Sequence, residues 1–196
     1  MSEPIGRRER KKAQTRKALA DAALELFVAR GYDQVGVREI ADAADVSVTT
    51  LFKYFPTKEA LVFDLDEDVE AALVAAVRQR APGRTPLAAL REHLRGWVTA
   101  VAAAPTTPAF ARLIEETPVL SQYASRMWLR HETALARAIA AETGAAADDI
   151  ACAALARFAL EAVELARGQP DPGEAIDTIF DLLDRGWSGT PPPDRH

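Results

Sequence analysis

Apolar residues along this chain recur at helical spacing, and no segment shows the strict alternation of a strand. Leu19, Ala22, Ala23, Leu26 and Phe27 form one stripe, which predicts a helix from about Glu9 to Arg30, stopped by Gly31. Two short helices should follow, about Val37–Ala44 and Val48–Tyr54, parted by Asp45-Val46-Ser47. A long helix is expected after Pro56-Thr57, with Thr57 as its cap and Glu59 in its first turn, running to about Arg80 before Ala81-Pro82-Gly83.

Three Thr-Pro pairs then act as start signals, because Thr can cap and Pro is tolerated at the first helical position. Thr85-Pro86 opens a helix with Leu87, Leu90, Leu94, Trp97, Val98 and Val101 on one face, closed by Pro105. Thr107-Pro108 opens one carrying Phe110, Leu113 and Ile114. Thr117-Pro118 opens a third with Leu120, Tyr123, Met127, His131, Leu135 and Ala138 in register, stopped by Gly144. Two further helices are expected at about Asp148–Arg167 and Gly173–Trp187, the latter with a stripe of Ile176, Ile179, Phe180, Leu183 and Trp187. The expected fold is all-α, with about nine helices.

Charge changes the picture at one end. The 196-residue chain carries a net charge of −5. Yet the stretch from Met1 to Ala20 holds Arg7, Arg8, Arg10, Lys11, Lys12, Arg16 and Lys17 against only Glu3 and Glu9. A basic arm on an acidic body is the asymmetry of a protein that meets a polyanion at one end, although a solvated tail would carry the same charges. Arginine and alanine enrichment fits a GC-rich bacterial coding sequence. The single cysteine, Cys152, cannot form an internal disulfide, which points to a cytoplasmic location. The N-terminus lacks the apolar core of a signal peptide, and no apolar run is long enough to span a bilayer, so no membrane partner is expected.

Chemistry for an enzyme is missing from the pattern. Histidines at 93, 131 and 196, one cysteine and no phosphate-cradling glycine loop suggest no metal set, no catalytic residues and no cofactor. The informative segment is Gly31–Leu61. Val37–Ala44 reads as a short amphipathic helix with Ile40, Ala41 and Ala44 inward; Asp45 makes a tight turn and Ser47 caps the next helix. Leu51, Phe52 and Phe55 are expected in the core, leaving Val48, Thr49, Lys53 and Tyr54 outside. A helix-turn-helix needs this division, one face anchoring the recognition helix and the other meeting DNA. Thr49 and Thr50 are small enough for base edges, while Lys53 and Lys58 suit phosphates.

On these residues the chain resembles the TetR family of transcriptional regulators. The resemblance runs over about Ala13–Leu65, through Ala22–Phe27, Gly31-Tyr32-Asp33, Val37–Ala41, Val46-Ser47 and Thr50–Leu61. It implies a three-helix DNA-binding head, a long connecting fourth helix, and a regulatory body whose last two helices build a homodimer. It also implies that Arg38, Val48, Thr49, Thr50, Lys53, Tyr54 and Lys58 face double-stranded operator DNA, a pseudo-palindromic site. The expected division is an arm at 1–12, a head at 13–65, a ligand-sensing and dimerising body at 66–188 and a disordered tail at 189–196. Two positions depart from the family's pattern: Gly36 replaces the usual Thr before the second helix, and Asp45 replaces the usual turn glycine. Tyr54 stands where the family places a phosphate-touching His or Tyr, with packing as the other use of its ring. Phe52 stands where Tyr is common, and reads as core.

The body carries no signature of its own. On Asp148–Arg167, apolar residues cover more than half the girth, so that helix is buried on two sides. Its bulky flank (Ile150, Phe158, Leu165) suits the monomer core, and its small flank (Cys152, Ala156, Ala159, Val163, Ala166) suits a dimer partner; a larger monomer core would explain the same residues. Candidates to line a site for an unknown small-molecule effector are Trp97, Phe110, Leu113, Ile114, Met127, Trp128, His131 and Phe158, each of which would serve equally as core. The function expected is a repressor released from DNA by a largely hydrophobic ligand; control by a protein partner, or activation, fits the same sequence.

Overall fold

Local capping chemistry sets several of the helix boundaries in the computed structural model, which describes residues 6–185. Helix α1 spans Arg7–Arg30 and ends at Gly31, whose φ of 86° closes it with an N–H bond to the Phe27 carbonyl. Short helices α2 (Val37–Ala43) and α3 (Val48–Tyr54) follow, then a single 3-10 turn at Glu59–Leu61 and α4 at Asp66–Arg78. Helices α5 (Pro86–Ala103), α6 (Thr107–Glu116), α7 (Pro118–Thr143), α8 (Ile150–Ala166) and α9 (Pro172–Arg185) complete the described chain, which is all-α with nine helices. Trp187, the tail at 189–196 and the first five residues of the arm lie outside the described residues.

The long helix expected from Pro56 onward is interrupted. Thr57 does cap, its hydroxyl accepting from the Ala60 N–H at 3.3 Å, but only the 3-10 turn results. Leu61, Val62 and Phe63 are all buried. Successive residues of an α-helix point about 100° apart, so three in a row cannot share one narrow face. Leaving the helix between Val62 and Leu65 lets all three turn inward. Helix α4 then restarts with Asp66, Glu67 and Asp68 in its first turn, where their charge suits the dipole.

The chain forms two compact units. One takes in the chain up to Asp68 together with Thr106–Met127; the other takes in Val69–Pro105 and the chain from Trp128 on. In the first, α1 packs on α2 and α6, and α2 on α3. Leu19, Ala23, Ile40, Ala41 and Leu51 are fully buried there. In the second, α5, α8 and α9 pack against one another. Thr85 caps α5 by accepting from the Ala88 N–H at 3.1 Å, and Asp149 caps α8 by accepting from Cys152 at 2.8 Å. Leu90, Leu94 and Val98 face inward as expected, whereas Val101, placed on the same face by its spacing, is 38% exposed.

Helix α8 reverses the expected assignment. Its small flank is the core side: Ala156, Ala159, Ala162 and Ala166 are fully buried within the single chain. The bulky flank is outside, with Ile150 80%, Phe158 52% and Leu165 60% exposed. Small side chains are what let α8 approach its neighbours closely, and the apolar pattern alone cannot say which of two apolar flanks meets a helix of the same chain. Cys152 belongs to this core as well, its sulfur 3.9 Å from the Thr143 hydroxyl, and not to the outer flank. Burial raises its thiol pKa, the opposite of what a reactive thiolate needs. Close approach recurs at Gly173 of α9, where a Cβ would stand 2.9 Å from the Thr99 hydroxyl of α5. Across the same contact, Arg91 donates to Asp177 at 2.7 Å and to Asp181 at 2.6 Å, and Arg95 donates to Asp177 at 2.8 Å.

Candidate nucleic-acid interface

The pair α2–α3 is built by backbone closure at both ends of a tight turn. Gly36, extended at φ −87°, precedes α2, and its N–H donates to the Glu39 carboxylate at 3.0 Å. Lacking a hydroxyl, glycine forms only this half of a capping box. The hydrogen bond from Gly36, followed by pairing with Arg30 at 2.5 Å, holds the Glu39 carboxyl below its usual pKa. At the other end, Asp45 adopts φ 54°, the left-handed conformation its place in the turn requires. The Val46 N–H then reaches the Ala41 carbonyl at 2.9 Å and the Asp45 N–H that of Asp42 at 3.1 Å, the paired closure of a Schellman motif. Ser47 starts α3 by accepting from the Thr50 N–H at 3.1 Å.

Once α2 and α3 are so joined, Leu51 points into the core and the opposite arc of α3 faces out. Thr49 and Lys53 are exposed there, and Arg38 is exposed on α2. Val48 and Tyr54 are half-buried at the margins. Thr50 is also half-buried, and its hydroxyl shares a 2.9 Å hydrogen bond with that of Ser47, so it serves the cap first.

Phe52 is not in the core. It is 46% exposed, because Leu51 occupies the centre of the buried face and the next residue is turned about 100° away. Lys58 also departs from a simple solvent-facing cation. Its ammonium donates to the Tyr32 carbonyl at 2.6 Å and lies 4.0 Å from the Tyr32 ring centroid and 5.3 Å from that of Phe27. Desolvation there lowers its pKa despite nearby Asp33 and Glu59. The Tyr32 hydroxyl donates to Glu59 at 2.9 Å, and burial, followed by that bond, pushes the phenol pKa well up.

Two of the seven bases in the basic stretch at 1–20 are also used internally. Arg16 donates to the Asp64 carbonyl at 2.6 Å with its guanidinium 4.8 Å from the Phe55 ring centroid, and Lys17 pairs with Asp21 at 2.7 Å. Arg7, Arg8, Arg10, Lys11 and Lys12 are exposed on the first turns of α1. The sequence placed Arg16 among the bases that would meet a polyanion and gave no sign of this tie, since its partner is a backbone carbonyl 48 positions away.

The effector candidates are divided between the two units. In the second unit the Trp128 ring stands edge-on to Trp97 at 6.0 Å and to the fully buried His131 at 5.2 Å. In the first, Phe110 is half-buried and meets Phe63 at 6.2 Å, and Phe63 stacks on Tyr123 at 5.1 Å. Leu113 and Met127 are buried and Ile114 is half-buried. Sequence reading overlooked Phe63, which lies in the unwound segment. Phe158 leaves the set, because it lies on the outer flank of α8. An open groove of about 440 Å³ beside the end of α8 and the start of α9 is lined by Leu165, Asp171, Glu174, Ala175 and Ile179 among others, and by none of the eight candidates. Among the described residues no cluster of three or more His, Cys, Asp or Glu could hold a metal, and no helix is long and apolar enough to cross a membrane.

Residues 19–65 match the family described as bacterial regulatory proteins, tetR family. The HTH-type transcriptional regulator TcmR of Streptomyces glaucescens is 37% identical over 153 residues, covering 74% of this chain and 67% of TcmR. The chain belongs to the TetR family. As a TetR-family protein it is a DNA-binding transcriptional regulator with a helix-turn-helix at α2–α3. The HTH-type transcriptional repressor KstR of Rhodococcus jostii is 41% identical over 73 residues, which are 37% of this chain and 34% of KstR. Among solved structures, the TetR-family repressor FadR of Thermus thermophilus, in complex with lauroyl-CoA, is 29% identical over 92% of this chain and 99% of FadR, with a TM-score of 0.55.

Proposed function

We propose that this TetR-family regulator is a cytoplasmic homodimeric repressor that grips a pseudo-palindromic DNA operator and is released by a small, largely hydrophobic ligand. The observation that carries the DNA reading is the outward arc of α3, which presents Thr49 and Lys53 to solvent while Leu51 locks the helix to its core. Val48 and Thr49 face base edges; Arg38, Lys53 and Tyr54 meet phosphates. Thr50 acts mainly through the Ser47 cap, and Lys58 mainly by tying Tyr32 to the segment that follows α3. The head takes in residues 13–65 and the sensing body 66–188, with the arm at 1–12 adding phosphate contacts.

The second copy covers the outer flank of α8, where Ile150, Phe158 and Leu165 recur at seven- and eight-residue spacing, together with exposed Leu182 of α9. The ligand reading draws support from FadR, whose structure holds lauroyl-CoA. Trp97, Trp128 and His131, which gather within the second unit, are the residues proposed to meet the effector. A randomised half-site library tests the first part: Thr49→Ala changes the ranking of sequences, whereas Lys53→Ala weakens all of them about equally and flattens the dependence of affinity on salt. No selected sequence at all would remove the DNA reading. A thermal-shift screen of acyl thioesters and other apolar molecules tests the second, since a ligand of the native state raises the melting temperature. Stabilisation without loss of operator binding would remove release by ligand.

A further inference from the structure

The recognition helix carries an exposed aromatic ring that phosphate chemistry cannot use. Phe52 is 46% exposed on α3, and its neighbours at helical spacing are Thr49 on the outer arc, three residues earlier, and half-buried Val48 at its margin, four residues earlier. Phenylalanine has no donor, so unlike a tyrosine it cannot bond a phosphate oxygen. Within a major groove, the apolar group that base pairs project is the thymine C5-methyl, and the other features of the edges are donors and acceptors. A ring seated against a cytosine amino group or a guanine carbonyl would leave that polar group without its water or a partner.

We propose that Phe52 is a specificity-determining residue that selects thymine at one or two positions of each half-site by packing on its methyl group. Thr49, with a methyl and a hydroxyl on the same arc, reads the adjoining base, and Lys53 beyond it holds the backbone. This rests on the assignment of α3 as the helix that enters the groove. It makes a chemical commitment that assignment does not: the preference resides in a methyl group and not in a hydrogen bond.

Removing the methyl from the DNA tests it without touching the protein. Half-sites are first selected from a randomised library with the full-length chain, and each thymine is then replaced singly by deoxyuridine. One or two of these replacements weaken binding about fourfold per half-site, the effect of losing one buried methyl group. With Phe52→Ala the same replacements have no effect, and the thymine preference at those positions flattens; with Phe52→Leu much of the uracil penalty remains. Because Phe52 is half-exposed, Phe52→Ala keeps the fold, which the circular dichroism melting curve verifies. Equal binding of thymine and uracil sites by the unaltered protein overturns the proposal, as does a uracil penalty that persists in Phe52→Ala. If uracil is silent but Thr49→Ala still reorders the selected sequences, the recognition helix stands and only Phe52 loses its role. If neither matters, both readings fall together.

Discussion

Phe158→Asp and Ala159→Asp, neighbours in sequence, should fail in opposite ways. Phe158 leaves 52% of its surface uncovered in the single chain. With about 200 Å² for a phenylalanine side chain, roughly 100 Å² is available for a partner to cover. At about 25 cal/mol per Å² that is worth about 2.5 kcal/mol, and twofold symmetry doubles it to about 5 kcal/mol per dimer. Replacing the ring by a carboxylate should therefore raise the dimer dissociation constant by up to roughly three to four orders of magnitude, with the monomer still folded. Ala159, fully buried beneath the same helix, has no room or solvent for a carboxylate, and its replacement should cost about 4 kcal/mol or more of monomer stability. Sedimentation equilibrium gives the first quantity, and urea unfolding followed by circular dichroism gives the second. A Phe158→Asp protein that stays dimeric at micromolar concentration would show that the outer flank of α8 is not the interface. A well-folded monomeric Ala159→Asp protein would show that the small flank is not core.

Asp45→Gly should stabilise the head by about 0.5–1 kcal/mol, because φ 54° strains a residue with a Cβ, and Asp45→Val should destabilise it by about 1–2 kcal/mol; urea titration reads both. Gly173→Ala should destabilise the protein by about 1–3 kcal/mol through the contact with Thr99, and adding Thr99→Ala should return part of the loss as a coupling in a double-mutant cycle. Burial holds the His93 imidazole below its ordinary pKa of 6.5. Below that pH the unfolded chain binds more protons than the folded one, so stability is complete above about 6.5 and declines as pH falls toward the folded value. Against this, His93→Gln should flatten the slope between pH 7 and 5.5 in thermal melts, and an unchanged slope would remove His93 as its source.

What the sequence determines here is local. Helices α1, α5 and α7 were legible because capping residues and glycine stops act within a turn or two of the residues that reveal them. The same holds for the turn at Asp45, where backbone geometry demands a residue that tolerates positive φ, and for the cap at Ser47. The family followed from those islands because their order and spacing encode a complete helix-turn-helix. Tertiary structure decided which apolar surface meets what. Phe52 and Leu51 are adjacent and both hydrophobic, and only the seating of α3 on its neighbours chose Leu51 for the core. Helix α8 offered two apolar flanks, and the closeness of α5 and α9 admitted the alanines and left Phe158 outside. Lys58 and Arg16 are cations whose partners, the carbonyls of Tyr32 and Asp64, lie 26 and 48 positions away, beyond any local pattern. The break after Leu61 arose likewise, because three consecutive residues found core to fill and the helix gave way to let them. Hydrogen bonds within a turn are written in neighbouring residues; the choice between equally apolar faces depends on packing against segments distant in the chain.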